Sequence, residues 1–226
     1  MNLHKYKTLI FDCDGVVLNS NKVKTQAFYN SALDYGEQAA QSLVEYHVKN
    51  GGISRYKKFH LFLNELIPKG AKGASLEELL KLYAEEVRRG LMTCEVGEGL
   101  SELRQQTSHC KWLIVSGGDQ NELRDIFNQR GLDNFFDGGI FGSPDSKDII
   151  LKRELANGNI QAPAVFFGDS KYDYQAADSV GLDFIFLSGW TEVKDWQSFC
   201  DDHQLPHFHS LSDLAKDGFS VSSLAT

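Results

Sequence analysis

The chain has few cysteines and no long apolar segment. Four cysteines occur in 226 residues, and none has the spacing of a metal site: Cys13, Cys94, Cys110 and Cys200. No apolar run approaches the length that spans a membrane, and residues 1–7 are too polar for a targeting peptide. We therefore expect a cytoplasmic protein with reduced thiols and no membrane partner.

Positive charge is also scarce. The formal net charge is −8 at pH 7, so most of the surface would repel a phosphate-rich polymer. This argues against a nucleic-acid partner and favours a small substrate gathered at a local cationic site. The 42% of apolar residues is ordinary for a globular protein, and the length suits a core domain with an insertion. For the oligomeric state, a monomer and a homodimer both stay open.

An apolar run near the start of the chain ends in two closely spaced aspartates. Residues 8–11 are typical of a buried parallel strand, and Asp12 and Asp14 follow it. Open α/β sheets bind ligands at the carboxyl ends of their strands, so both carboxylates are predicted to lie in a site. Two anions this close favour a divalent cation such as Mg²⁺. The alternative is that residues 12–15 only form a turn.

Two further segments carry groups that suit an anion. Residues 112–115 predict a second strand, followed by Ser116 and two glycines whose N–H groups can approach a phosphate. Lys147 lies just before an amphipathic helix and would supply a cation. The alternatives are structural, because glycines also form ordinary β-to-α turns and such a lysine is usually a surface charge. Lys152 and Lys171 are the other candidates for the cation.

A third predicted strand, residues 164–168, repeats the first pattern. It is followed by Asp169 and, four residues later, Asp173. Together with Asp12, these side chains would form a carboxylate cluster at one edge of the sheet. Asp169 would be a direct metal ligand, and Asp173 would orient Lys147 or a metal-bound water.

In order and spacing, these four segments resemble the four motifs of the haloacid dehalogenase-like (HAD) hydrolase superfamily. The resemblance covers residues 8–173 and is closest to the phosphatase branch with a helical C1-type cap, which includes phosphoglycolate phosphatase and β-phosphoglucomutase relatives. It implies a doubly wound α/β fold, with a mostly parallel sheet and an inserted helical cap. It also implies Mg²⁺-dependent hydrolysis of a small phosphate monoester, such as a sugar phosphate, through an aspartyl-phosphate.

The resemblance assigns a role to each aspartate. Asp12 would attack phosphorus, and Asp14 would protonate the leaving alkoxide and then take a proton from water. Asp12, Asp169 and the backbone carbonyl of Asp14 would hold Mg²⁺. Since haloacid dehalogenases and phosphonate hydrolases lack an aspartate at the second position, Asp14 points to phosphate ester chemistry.

The other motif residues would hold the substrate. Ser116, the N–H of Gly117 and Lys147 would bind the phosphoryl oxygens of a small phosphorylated metabolite. Three alternatives to a phosphatase stay open. They are a phosphomutase of the β-phosphoglucomutase type, a phosphotransferase that uses a second metabolite, and a catalytically silent metal-binding scaffold.

About a hundred residues separate the first two motifs, far more than one crossover connection requires. From residue 19 to about residue 90 the pattern is helical, and Ser75 and Glu78 predict the start of one helix. An inserted helical domain explains this segment. The predicted domains are a core of residues 1–17 and 95–226 and a cap of residues 18–94, joined by hinges at residues 16–20 and 93–99.

The cap needs groups that contact the part of the substrate remote from phosphorus. Residues 51–58 pair two glycines with Arg55, whose forked guanidinium suits an anionic or polyhydroxylated substrate. This segment resembles the cap loop of β-phosphoglucomutase-like relatives. The alternative is that Arg55, Lys57 and Lys58 only solubilise the start of a helix. His47 is more typical of a packed or solvated side chain than of a catalytic one.

Overall fold

A computed structural model describes residues 2–219 of the chain, which form one parallel β-sheet flanked by helices. The strands are β1 (Thr8–Phe11), β2 (Lys111–Asp119), β3 (Gly139–Ser143), β4 (Ala164–Gly168), β5 (Asp183–Leu187) and β6 (His207–Phe208). Within the described residues they form a six-stranded sheet in the order β3-β2-β1-β4-β5-β6, and every neighbouring pair is parallel. The predicted doubly wound parallel sheet is therefore confirmed.

Helices connect the strands and cover the sheet. They are α1 (Asn21–Ala32), α2 (Glu37–Lys49), α3 (Arg55–Leu61), α4 (Leu76–Thr93), α5 (Leu100–Gln106), α6 (Gln120–Gln129), α7 (Lys147–Ala156), α8 (Lys171–Asp178), α9 (Trp196–Asp202) and α10 (Leu211–Asp217). Short 3₁₀ segments occur at Leu3–Lys5, Leu33–Tyr35 and Asp133–Phe135, and a π-helical turn at Phe62–Leu66. Within residues 2–219, no helix is both long enough and apolar enough to cross a membrane.

The central strand β1 is buried on both faces, as its uninterrupted apolar sequence predicts. Leu9 and Phe11 belong to the hydrophobic cluster on one face of the sheet, and Ile10 belongs to the cluster on the other. Phe11 packs against Trp112 of β2 and Phe167 of β4, with ring centroids 4.5 and 4.9 Å apart. This packing fixes the register of the three central strands.

The strand order places the predicted motifs next to one another. β1 pairs with β2 on one side and with β4 on the other, and chain order reverses across it. Asp12 follows β1 directly, Ser116 lies near the end of β2, and Asp169 follows β4. Since all three strands run in the same direction, these residues reach the same edge of the sheet.

Helices α1 to α4 form an insertion between β1 and β2 with an aromatic core of its own. The rings of Phe28, Phe59 and Tyr83 pack together, with centroids 4.3 to 5.7 Å apart. Helix α4 begins at the predicted N-cap, because the Ser75 hydroxyl accepts the Glu78 N–H and the Glu78 carboxylate accepts the Ser75 N–H. The helical character predicted for this segment is confirmed.

The two chain segments that join the insertion to the sheet lie side by side. The N–H of Asn19 donates to the Glu95 carbonyl at 2.9 Å, and the N–H of Gly97 donates to the Val17 carbonyl at 2.8 Å. The Asn19 amide also donates to the Glu95 carboxylate at 2.7 Å. These bonds hold both ends of the insertion at one place, and the domain boundaries predicted there stay a prediction.

Candidate active site

Lys147 lies at the centre of the carboxylate cluster. Its ammonium is 2.8 Å from Asp12 and 2.5 Å from Asp173, and all three side chains are buried. Burial alone would lower the pKa of Lys147, but the charges of Asp12 and Asp173 outweigh burial and raise it. Lys147 therefore stays an ammonium.

The structure brings Lys147 to the predicted site and leaves the two other candidate lysines outside it. Lys152, further along α7, is exposed. Lys171 pairs with Asp195 at 2.6 Å on the surface. Lys147 is the first residue of α7, so its stem starts at the sheet edge and reaches inward toward β1.

Asp173 anchors both the lysine and the loop after β4. Its Oδ1 binds Lys147, while its Oδ2 accepts the Ser170 hydroxyl at 2.7 Å and the Ser170 N–H at 3.1 Å. The Ser170 hydroxyl in turn accepts the Asp173 N–H, which completes a capping box at the start of α8. The capping box thus orients the carboxylate that holds Lys147.

Asp169 is buried beside two other acidic groups. Its Oδ2 accepts the Asn21 amide at 2.7 Å. Burial, together with the charges of Asp173 and Asp12, raises its pKa well above the usual range of a carboxyl. A side chain at Gly15 would overlap the Asp169 carboxylate, and Gly15 has a φ of +74°, so this position requires glycine.

The acidic cluster holds more negative charge than its lysine neutralises. Carboxylate oxygens of Asp12, Asp169 and Asp173 all lie within 4.8 Å of one another. Burial also raises the pKa of Asp12, although Lys147 acts to lower it. A set of buried hard-oxygen donors with excess negative charge suits a divalent cation such as Mg²⁺, so these residues fit the metal that the resemblance implies.

Asp14 lies apart from this cluster and has different partners. Its carboxylate accepts the Ser20 hydroxyl at 2.6 Å and forms an ion pair with Lys24 of α1. Burial would raise the pKa of Asp14, but Lys24 and the hydrogen bonds from Lys24 and Ser20 lower it overall. The contact of Lys24 could not be predicted from the sequence, because a lysine within a polar helix carries no signal of its partner.

The Ser116 segment lies where the insertion meets the sheet edge. Ser116 is buried, and its hydroxyl accepts the Gly118 N–H at 3.0 Å. A Cβ at Gly117 would overlap the backbone of Gly52 in the loop between α2 and α3. Gly117 therefore allows the insertion to approach the strand end that carries Ser116.

Arg55 lines the cavity between the insertion and the sheet, but its guanidinium is paired with the core. It donates to both carboxylate oxygens of Glu122 on α6, at 3.1 and 2.5 Å, and lies over the Tyr83 ring. The next residue, Tyr56, donates to Asp119, the N-cap of α6, at 2.8 Å. Arg55 thus links the insertion to the core, and its contact with a substrate stays a prediction.

The same cavity is bordered by the acidic cluster and by side chains of the insertion. Asp12, Asp14 and Asp169 lie on one side, and Lys24, His47, Arg55, Lys58 and Tyr83 on the other. Arg55 and Lys58 are buried, whereas Lys57 is exposed, so the alternative that all three only solubilise the start of a helix is wrong for Arg55 and Lys58. The sequence carries no signal that Lys58 lines the cavity, since its burial depends on the packing of α1 to α4.

Known proteins resemble this chain in sequence or in fold over most of its length. A phosphorylated carbohydrates phosphatase of Thermotoga maritima is 25% identical over 189 residues, which cover 80% of this chain and 84% of that protein. The crystal structure of CbbY from Rhodobacter sphaeroides in complex with phosphate has a TM-score of 0.69 at 16% identity, covering 92% of this chain and 96% of that one. YfnB of Bacillus subtilis, crystallised with bound magnesium, has a TM-score of 0.65 at 19% identity, covering 94% and 98%.

A family comparison covers most of the chain as well. The model of the haloacid dehalogenase-like hydrolases matches residues 6–181, which include all four motifs. The predicted resemblance to the phosphatase branch of this family is confirmed, and with it the prediction of a hydrolytic enzyme. The chain belongs to the haloacid dehalogenase-like hydrolase family.

Proposed function

We propose that this protein is a Mg²⁺-dependent phosphatase that hydrolyses a small phosphate monoester through an aspartyl-phosphate on Asp12. The observation that carries the proposal is the buried ion-pair network of Asp12, Lys147 and Asp173 beside Asp169. A sugar phosphate or similar metabolite is the proposed substrate class, in keeping with the name of the Thermotoga maritima relative.

The two oxygens of Asp12 have different surroundings. Its Oδ1 accepts the Cys13 N–H at 2.7 Å and the Lys147 ammonium at 2.8 Å. Within residues 2–219, Oδ2 accepts no hydrogen bond, and Asp12 lines the cavity. We assign the attack on phosphorus to Oδ2, which forms the new P–O bond while the substrate alkoxide leaves.

Asp14 is the proposed acid and base. Its carboxylic-acid form would donate a proton to the leaving alkoxide in the first step, and its carboxylate would take a proton from the water that cleaves the aspartyl-phosphate in the second. Because the ion pair with Lys24 keeps Asp14 ionised, this pair must open before Asp14 acts as an acid. Its position two residues after Asp12 and on the cavity wall supports this role. Because Lys24 and Ser20 hold its carboxylate, both influence the position and the ionisation of Asp14.

The side chains of Asp12 and Asp169 and the backbone carbonyl of Asp14 would hold Mg²⁺. The metal would neutralise the charge that spreads over the phosphoryl oxygens during transfer. Ser116, the Gly117 N–H and Lys147 would hold these oxygens from the protein side. Asp173 keeps Lys147 in place through its 2.5 Å contact.

The insertion would act as a cap over the reaction. It forms one wall of the cavity, and its contacts with α6 through Arg55 and Tyr56 hold it against the sheet edge. A closed cap excludes water while the phosphoryl group is transferred to Asp12. An open cap releases the alcohol product and admits the water that hydrolyses the aspartyl-phosphate. We propose residues 18–94 as this cap and residues 1–17 and 95–226 as the core.

The direct test is release of inorganic phosphate from a panel of phosphorylated metabolites and one activated aryl phosphate. We expect release with Mg²⁺ and none with a chelator. D12N should lose about a thousandfold or more in kcat while keeping its thermal unfolding transition. Turnover by D12N would remove Asp12 as the nucleophile. If wild-type protein returns the phosphoryl group to sugar and releases little phosphate, the phosphatase proposal fails in favour of a mutase.

A further inference from the structure

A lysine and a histidine of the insertion form a buried pair in the cavity wall. Lys58 of α3 is 1% exposed and His47 of α2 is 8% exposed, and the Lys58 ammonium is 2.6 Å from the His47 Nδ1. Both residues border the cavity that contains Asp12. Neither has a part in the proposed chemistry at phosphorus.

When Lys58 is charged, the pair offers only hydrogen-bond donors to the cavity. An ammonium cannot accept a hydrogen bond, so a charged Lys58 donates to Nδ1 of His47, and the neutral imidazole then carries its proton on Nε2. Burial, followed by the charges of Lys58 and Lys24, lowers the pKa of His47 well below its usual range and keeps the ring neutral. The buried Nε2 of His47 has no hydrogen-bond partner within residues 2–219. A buried N–H donor without an acceptor calls for an oxygen from a ligand.

Among residues 2–219, Lys58 also has no acidic side chain at ion-pairing distance. In the described part of the chain, no carboxylate oxygen lies within 4.0 Å of its ammonium. Glu192 borders the same cavity but accepts the Thr25 hydroxyl at 3.1 and 3.2 Å. Burial and the nearby charge of Lys24 lower the pKa of Lys58 to about 7. An anion in the cavity would therefore be stabilised by Lys58 and would raise its pKa.

Packing alone does not explain the pair. His47 packs at a tilt against Phe28 with centroids 4.6 Å apart, and the Lys58 ammonium lies over the same ring at 5.4 Å from its centroid. These contacts pack the imidazole and give the ammonium an aromatic neighbour, but among the described residues the His47 Nε2 has no hydrogen-bond partner and Lys58 has no carboxylate within 4.0 Å. Leucine or methionine would fill the space without this cost.

We propose that Lys58 and His47 bind a second anionic group of the substrate, a carboxylate or a second phosphate, remote from the phosphoryl group that is transferred. The inference rests on the proposed phosphatase function and narrows its substrates to phosphate monoesters with an additional negative charge. Arg55, which is paired with Glu122, is not required for this contact.

The test compares esters that differ only in the second anion. Three pairs serve: 3-phosphoglycerate with glycerol 3-phosphate, 6-phosphogluconate with glucitol 6-phosphate, and glucose 1,6-bisphosphate with glucose 6-phosphate. The first two pairs identify a carboxylate at two distances from phosphorus, and the third identifies a phosphate. We expect wild-type kcat/KM to favour the doubly anionic member of at least one pair by about tenfold or more, the effect of one charge-assisted hydrogen bond.

Variants then assign the preference to Lys58. K58M should reduce that ratio to about one, whereas K58R should restore part of it. K81M removes an equal charge from the exposed face of α4 and should keep the wild-type ratio. A thermal unfolding transition checks that each variant is folded. A wild-type ratio near one in all three pairs, or an unchanged ratio in K58M, overturns the inference.

A binding measurement separates this inference from the proposed function. If wild-type protein hydrolyses none of the esters, calorimetry with the same pairs measures Kd on wild type and K58M. Tighter binding of the doubly anionic member that depends on Lys58 would support the anion site while the phosphatase proposal fails. Equal Kd values within every pair would overturn the anion site too.

Discussion

Lys24, on the first helix of the insertion, forms a buried ion pair with Asp14, which follows the first strand of the sheet. The insertion therefore supplies a charge to the residue proposed as acid and base. Since the same helix also carries Asn21, which donates to Asp169, α1 contacts both Asp14 and the acidic cluster. Displacement of α1 would alter the surroundings of both carboxyl groups.

We expect K24M to lower kcat by about tenfold for alkyl phosphates and by less for an activated aryl phosphate. Loss of the ion pair should raise the pKa of Asp14, but it also leaves the carboxyl group poorly oriented, and we expect the lost orientation to dominate. Only an alkyl leaving group needs a proton from Asp14. Steady-state kinetics on glycerol 3-phosphate and p-nitrophenyl phosphate measure the difference. K22M, which removes an exposed lysine from the same helix, serves as control. Equal losses on both esters would contradict the proposed role of Asp14.

The Arg55–Glu122 pair gives a second prediction. R55A and E122A should each lower kcat/KM by about tenfold, and the double variant should be no worse, because all three remove the same link between insertion and core. A double-mutant cycle on kcat/KM measures this coupling. If Arg55 also contacts the substrate, R55A will lose much more than E122A and the double variant will follow R55A.

The burial of Lys58 should make the difference in stability between wild type and K58M depend on pH. Its pKa falls from an ordinary 10.5 to about 7 on folding, so the unfolded chain binds more protons between these values and folding stability rises with pH there. K58M lacks this effect. Its melting temperature should exceed that of wild type at about pH 7, and the difference should shrink toward about pH 10.

Other titratable groups surround Lys58 and contribute to the pH dependence of both proteins. They are Lys24 of α1, His47 of α2, Asp14 after β1, Lys147 of α7 and Glu192 after β5. Subtracting the wild-type curve from that of K58M removes their own titrations to first order. A difference in melting temperature that stays constant from about pH 7 to about pH 10 would contradict the lowered pKa of Lys58.

Binding of Mg²⁺ should stabilise the folded protein. Three carboxylates within 4.8 Å of one another share one lysine, so a bound cation relieves their repulsion. Saturating Mg²⁺ should raise the melting temperature by about 5 °C or more, and a chelator should reverse it. D169N should lose this shift, whereas D178N, an exposed change on α8, should keep it. An unchanged shift in D169N would place the metal elsewhere.

The central sheet could be predicted from the sequence because its strands are buried on both faces. Residues 8–11 and 164–168 are mostly apolar, and an aspartate follows each run, so both the strand positions and the edge that carries the site could be predicted from the pattern. The start of α4 could be predicted as well, since the Ser75–Glu78 capping box is a local sequence signal. Local patterns thus predict local structure well.

The partners of the charged residues could not be predicted in this way. Lys147 was one of three candidate lysines, and only the fold shows that it lies between Asp12 and Asp173. The Arg55 partner, Glu122, is 67 residues away, on α6. Ion pairs across such distances depend on how the insertion packs against the sheet and its helices, and no local pattern records this.

The paired connectors at Asn19–Glu95 and Val17–Gly97 have a consequence for the architecture of the chain. Because the insertion leaves and re-enters the sheet at one point, the spacing of β1 and β2 does not depend on how much polypeptide lies between them. Loop-closure entropy grows only slowly with length, so the segment after α1 can lengthen or shorten between the same anchors at little cost. The start of α1 is the exception, because Asn21 and Lys24 contact Asp169 and Asp14.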